Sequence, residues 1–236
     1  MRFRRRPPER TVDRRVVWQA ASLLLAYPDE SFAQRLELVR AAAADLPGRE
    51  GVLLADCAGR LAALDPVPAA ISYVDTFDWR RRRTLFLTYY TAGDTRGRGV
   101  ALLEFATAYR AAGAIPPAGE LPDHLTVVLE FAATVDPDAG FGLLAAHRTS
   151  IDLLLQGLRK MDSPYAGVVE AVALTLPAPT ESDLVKARRL AMQGPPVEAV
   201  GLDPYPTAGA IPGRGGRSGP VDLQLTPRVP AGKGSS

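Results

Sequence analysis

The chain has 236 residues, 28 Lys+Arg against 26 Asp+Glu, one Cys and two His. That length holds one ordinary domain, or one domain with tails, and 47% apolar with 23% charged residues is a globular composition. A single Cys excludes a disulfide framework and any multi-cysteine zinc site. Two His leave little for a histidine-based metal site, so neither a metal nor a cofactor is expected.

The formal charge of +2 averages three unlike segments. Residues 2–15 carry seven Arg against one Glu and one Asp, so 1–15 reads as a basic N-terminal extension. Residues 193–236 hold nine Gly and eight Pro, with four basic and three acidic residues. That tail has no periodic apolar spacing with which to offset its ordering entropy, and a disordered tail is expected. The body, 16–192, has 17 basic and 21 acidic residues and is long enough to bury a core.

Arg14-Arg15 stand ahead of the apolar stretch Val16–Tyr27. This superficially resembles a twin-arginine export signal. Gln19 and Ser22 interrupt the stretch, and no small-x-small cleavage site follows. The two arginines are therefore expected in a solvated tail ahead of the first helix. No apolar run reaches the ~18 residues of a membrane span, so a cytoplasmic chain without direct membrane insertion is expected.

From there the body reads at helical period. Phe32, Leu36, Val39, Ala43 and Leu46 step by 4, 3, 4 and 3. Leu53, Leu54, Cys57, Leu61 and Leu64 repeat the pattern, as do Val100, Leu103 and Tyr109, closed by Gly113. Leu125, Val128, Leu129, Ala132 and Val135 form another stripe. The longest runs from Leu143 through His147, Ile151, Leu154 and Leu158 to Met161. Val168–Leu176 and Leu184–Leu190 follow. Tyr27-Pro28, Pro47-Gly48, Asp65-Pro66, Pro116-Pro117, Asp136-Pro137, Ser163-Pro164 and Leu176-Pro177 punctuate the stripes. No stretch alternates at period two. The fold class expected is all-α: one domain of nine to ten helices.

Catalytic signals are poor. There is no Gly-x-Ser-x-Gly, and Cys57 sits on an apolar stripe as an inert core thiol. His147 lies on such a stripe too and reads as a core or boundary residue. Gly93–Gly99 is glycine-rich, but no strand precedes it and it lacks a Lys-Ser/Thr ending. It reads as a turn between helices, with phosphate at the next helix start left open. Arg80–Arg83 point around most of a helix and read as a solvated run pairing with Asp75 or Asp78. In Glu120-Leu121-Pro122-Asp123-His124-Leu125, Asp123 is placed to cap the following helix, with His124 in its first turn. The positive helix end disfavours imidazolium, so a neutral ring is expected. Structural bonding and binding of a peptide amide or polar ligand both remain open for it.

Three stretches together resemble a known family. They are Tyr73–Arg83 running on through Leu85–Thr91, then Gly93–Gly99 with Ala101–Leu103, and Glu120–Leu125 with Val128–Phe131. Leu23-Leu24-Leu25-Ala26-Tyr27-Pro28 fits as well. The body is similar to the NarJ branch of the molybdoenzyme assembly chaperones, the delta-subunit family of respiratory nitrate reductase. The wider family carries Glu-Pro-x-Asp-His; here proline falls one place later, so Asp123 and His124 match while Pro122 is shifted.

The resemblance implies an all-helical chaperone and not an enzyme. It implies that the partner is the apo catalytic (alpha) subunit of nitrate reductase, bound through its N-terminal segment. Binding would keep that subunit competent for insertion of the molybdenum bis-guanine-dinucleotide cofactor before membrane docking. The residues so implicated in partner binding are Asp123, His124, Glu120, Pro122, Tyr89, Tyr90, Asp94 and Arg98. Tyrosines suit a partly wet groove because an apolar ring carries a polar tip. A chaperone for another molybdoenzyme is the alternative of the same class, and two other classes compete. A nucleotide-binding factor or enzyme would use Gly93–Gly99 with His124. A nucleic-acid binder would use Arg2–Arg15 and the C-terminal tail, but the acidic body argues against it, and no nucleic-acid partner is expected.

Overall fold

The computed structural model describes residues 12–79, 83–117 and 119–196. Among these the secondary structure is helical, with one isolated antiparallel bridge between Phe86 and His124. There are eleven helices: α1 Arg14–Leu25, α2 Phe32–Asp45, α3 Arg49–Ala62, α4 Pro66–Phe77, α5 Leu87–Ala92, α6 Arg96–Ala111, α7 Leu125–Thr134, α8 Pro137–Ala146, α9 Arg148–Arg159, α10 Ala166–Leu174 and α11 Glu181–Gln193. The all-α expectation holds, with one or two more helices than expected.

Their ends follow local chemistry. Asp13 accepts from the Arg15 amide, and Asp136 accepts from the amides of Asp138 and Ala139 with Pro137 at the first helical position. Thr180 and Asp183 form a capping box on α11. Gly93, at φ 60, ends α5 and lies directly under the Pro196 backbone, where a side chain would collide.

α1 packs on α2, α3, α7 and α10 and buries Val17, Trp18, Ala21, Leu24 and Leu25. The Trp18 indole donates to Thr175 Oγ1 at 2.9 Å. Arg14 and Arg15 are not in a tail ahead of this helix but in its first turn. The Arg15 Nε donates to the Ala133 carbonyl at 2.8 Å, and the Arg14 guanidinium stands 4.6 Å from the Phe141 ring. The two arginines of the leader-like stretch stay exposed on the helix surface, while Val17, Trp18, Leu24 and Leu25 of its apolar part lie in the core. No helix among the described residues is long and apolar enough to cross a membrane.

Two stripes resolve differently from the expectation. The long one from Leu143 to Met161 is two helices interrupted at His147, without proline or glycine at the break. The two halves have different neighbours: α8 packs on α7, while α9 packs on α10, α11 and α5. On α6, Val100 and Leu103 are not core residues but 71% and 61% exposed. The buried side of α6 is Phe105 and Tyr109, since its chief neighbour is the short α5. Arg80–Arg82 and the tail beyond Pro196 lie outside the described residues. Arg83 binds backbone carbonyls, of Thr76 at 2.9 Å and Asp75 at 3.1 Å, rather than a carboxylate.

Candidate functional site

The site arises where two connecting segments cross. Leu87 donates its amide to the Asp123 carbonyl at 3.1 Å, and Leu125 donates to the Leu85 carbonyl at 2.8 Å. These bonds lay the entry to α5 against the entry to α7, and Phe86 faces His124 with ring centroids 5.1 Å apart.

Asp123 has 0% exposure. It does not cap α7, as its position suggests; it caps α5 from across the chain. Its Oδ2 accepts from the Thr88 amide at 3.0 Å and from the Thr88 hydroxyl at 2.6 Å. The same hydroxyl accepts from Arg98 Nε at 3.2 Å. Asp123 Oδ1 and Arg98 Nη2 are buried without a hydrogen-bond partner among the described residues. His124 is the residue before α7 rather than in its first turn, and its Nδ1 lies 2.6 Å from Thr126 Oγ1. Burial pushes the ring below its ordinary range, partly offset by Glu120, Asp123 and Asp78. The neutral state follows from desolvation more than from the helix end.

In front of this buried pair lies a cavity of about 280 Å³, lined by Phe77, Asp78, Thr84, Phe86, Tyr89, Asp94 and Arg98. The Arg98 guanidinium stands 5.4 Å from the Phe86 ring and 5.9 Å from the Tyr89 ring, and its Nη1 is 3.4 Å from Asp94. Trp79, 77% exposed, follows Asp78 in the chain. Apolar walls with one cation and two acids can seat an extended or helical segment carrying aromatic and charged side chains.

Of the residues singled out from sequence, the structure brings Tyr89, Asp94 and Arg98 to this cavity, with Asp123 behind it through Thr88. Pro122 contributes its carbonyl, which accepts from the Tyr109 hydroxyl at 2.6 Å. Glu120 is exposed. Tyr90 turns away: its hydroxyl donates to the Thr84 carbonyl at 2.9 Å, and its ring lines a different cavity between α9 and α11 with Arg83 and Leu190. Thr84, Phe86 and Thr88 were missed. The half-buried Thr84 and Phe86 alternate with the buried Leu85 and Leu87, but Thr88 is buried too, so the alternation is too short to stand out beside helical stripes. Of Gly93–Gly99, read from the sequence as a turn, only Gly93–Thr95 connects the helices, and Arg96–Gly99 form the first turn of α6. Among the described residues no three His, Cys, Asp or Glu are grouped to hold a metal.

Among the described residues the chain is helical and carries an aromatic-walled cavity. Its fold is similar to a crystal structure described as a putative redox enzyme maturation protein from Archaeoglobus fulgidus, with a TM-score of 0.53 and 24% identity over 72% of this chain and 98% of that one. The family described as nitrate reductase delta subunit matches residues 41–170, more than half of the chain. The chain is 31% identical over 167 residues to the probable nitrate reductase molybdenum cofactor assembly chaperone NarJ of Bacillus subtilis, covering 70% of this chain and 91% of that one. It is 30% identical over 167 residues to NarJ of Escherichia coli K12, covering 70% and 71%. It shares 160 residues at 49% identity with the nitrate reductase-like protein NarX of Mycobacterium tuberculosis H37Rv; these are 68% of this chain and 24% of NarX, so the chain spans about a quarter of that relative. The chain belongs to the nitrate reductase delta-subunit family, that of the NarJ-type assembly chaperones, whose members are not catalysts.

Proposed function

We propose that this chain is a cytoplasmic chaperone for the catalytic subunit of a respiratory nitrate reductase. It binds the apo subunit through that subunit's N-terminal segment and keeps it open for molybdenum cofactor insertion before membrane docking. The cofactor is cargo of the client, and no residue of this chain is assigned to hold it. The observation that carries the site assignment is the crossing of the α5 and α7 entries. It aims Tyr89, Asp94 and Arg98 into one aromatic-walled cavity and anchors Arg98 to Thr88 and Asp123 behind it. Tyr89, Asp94 and Arg98 contact the client; Asp123 and Pro122 position them; His124 braces the Phe86 wall. Glu120 adds negative charge to the neighbourhood of His124.

The test is titration calorimetry with a peptide of the catalytic subunit's N-terminal segment and with the apo subunit itself. Trp79 emission is a second readout, since the other indole, Trp18, is buried. Saturable binding that Arg98→Ala and Tyr89→Ala weaken at least tenfold (about 1.4 kcal/mol) is the expected result. No heat and no change in emission with either ligand refutes the proposal. Binding unaffected by both substitutions moves the client elsewhere on the chain.

A further inference from the structure

We propose that the arginine-rich segment 2–10 of this chain docks in a second groove, at the N-terminal end of α2, and covers it. The groove encloses about 580 Å³, larger than the cavity before Arg98. Its floor is apolar: Phe32 and Leu36 from the first turns of α2, with Ala62 and Leu64 from the junction of α3 and α4. Its rim is acidic. Glu30 has no ion-pair or hydrogen-bond partner among the described residues, and Glu37 has only the exposed Arg40 at 3.2 Å. Asp29 is held by the Ser31 amide and hydroxyl and stands 3.5 Å from Arg35. Asp65, next to Leu64, makes no side-chain cap bond to α4. The local cations, Arg35 and Arg40, do not balance four carboxylates.

An occupant must join positive charge to a bulky apolar side chain. Arg2-Phe3-Arg4-Arg5-Arg6 does so: Phe3 suits the floor, and the arginines flanking it suit the rim. Proline has a fixed φ, so Pro7-Pro8 reduce the entropy the segment loses on docking.

The geometry allows the reach. Val12 packs beside Gly48, at the opposite end of α2 and α3 from the groove. The separation is about one length of α2, whose 14 residues at 1.5 Å each make ~21 Å. The nine residues from Phe3 to Val12 extend up to ~30 Å. Tethering makes the docking intramolecular, so even weak contacts populate it. Because exposed charges contribute, the cover loosens with salt.

The test uses the full chain with p-benzoylphenylalanine introduced at position 33, on the exposed turn of α2 that lines the groove. Irradiation followed by mass spectrometry is expected to give an intrachain crosslink to residues 2–10. Its yield falls several-fold in high salt, in Glu30→Lys/Glu37→Lys, and in Arg4→Gln/Arg5→Gln/Arg6→Gln. The arginine variant lies outside the described helices, so a loss of yield there at an unchanged unfolding midpoint is not a folding failure. Crosslinks between two chains, crosslinks only to residues outside 2–10, or an intrachain yield unmoved by both variants overturns the proposal.

Discussion

Replacing Asp123 by alanine removes the acceptor that closes the start of α5. In the parent, one carboxylate oxygen takes both the Thr88 amide, at 3.0 Å, and the Thr88 hydroxyl, at 2.6 Å, with no solvent exposure. Alanine orphans both donors in a site water does not reach, at about 1–3 kcal/mol each. Part of that is offset, because the second carboxylate oxygen is itself buried without a hydrogen-bond partner among the described residues. The expected loss is about 2–4 kcal/mol, roughly a 5–12 °C drop in Tm for a domain of this size. Asp123→Asn keeps an acceptor for Thr88 and is expected to lose about 1 kcal/mol. Urea unfolding followed by circular dichroism measures both, with the midpoint falling and the slope constant. An alanine variant within about 0.5 kcal/mol of the parent refutes the reasoning, since that is the range of an ordinary surface substitution. Arg98 leans on the same hydroxyl, so a folded Asp123→Asn protein is also expected to bind client peptide more weakly.

Three further outcomes follow from the packing and burial. A methyl at Gly140 would overlap Ala132 where α7 and α8 meet, whereas one at Gly142 meets open space. Gly140→Ala is therefore expected to destabilise by about 1–3 kcal/mol and Gly142→Ala to stabilise by about 0.5–1 kcal/mol; equal unfolding midpoints contradict the close α7–α8 contact. Burial sets both histidines below their ordinary 6.5, although Glu104 beside His147 opposes the shift there. A lowered folded value means that each ring contributes fully above about 6.5 and loses that contribution as pH falls through its folded value. Stability is expected to decline from neutral pH towards pH 5, and less steeply in His124→Asn; identical slopes for the two proteins contradict it. Cys57 has 0% exposure, and burial pushes its thiol up to about 12. It is expected to resist a thiol reagent in buffer and to react in denaturant, and fast labelling of the native chain refutes its placement.

Most helices were legible because their cause is local. A 3.6-residue apolar repeat and a capped or proline-marked start are written within one segment, as for Asp136-Pro137 and for Thr180 with Asp183. Two failures share a reason. The break at His147 has no local marker; it falls where α8 and α9 take different partners, with the His147 ring against Phe105 at 4.7 Å and the Ser150 hydroxyl bonded to the Leu87 carbonyl. The exposure of Val100 and Leu103 reflects α6 lacking a neighbour on that side among the described helices, which no repeat within α6 reveals.

The site divides along the same line. Asp123, His124, Tyr89 and Arg98 stood out as residue types in short motifs, and composition had already narrowed the chain to an acidic helical body with a basic extension and little capacity for metal. Which of those residues act together was a matter of chain crossing. Asp123 and Thr88 are 35 positions apart, and their bond exists because the entries to α5 and α7 lie side by side. Neighbours such as Tyr89 and Tyr90 face different cavities because consecutive residues of a helix point about 100° apart. Periodicity and capping act over one helical turn and can be read in order along the chain. Convergence of side chains on a cavity depends on how whole helices pack, and that is settled only when the core closes.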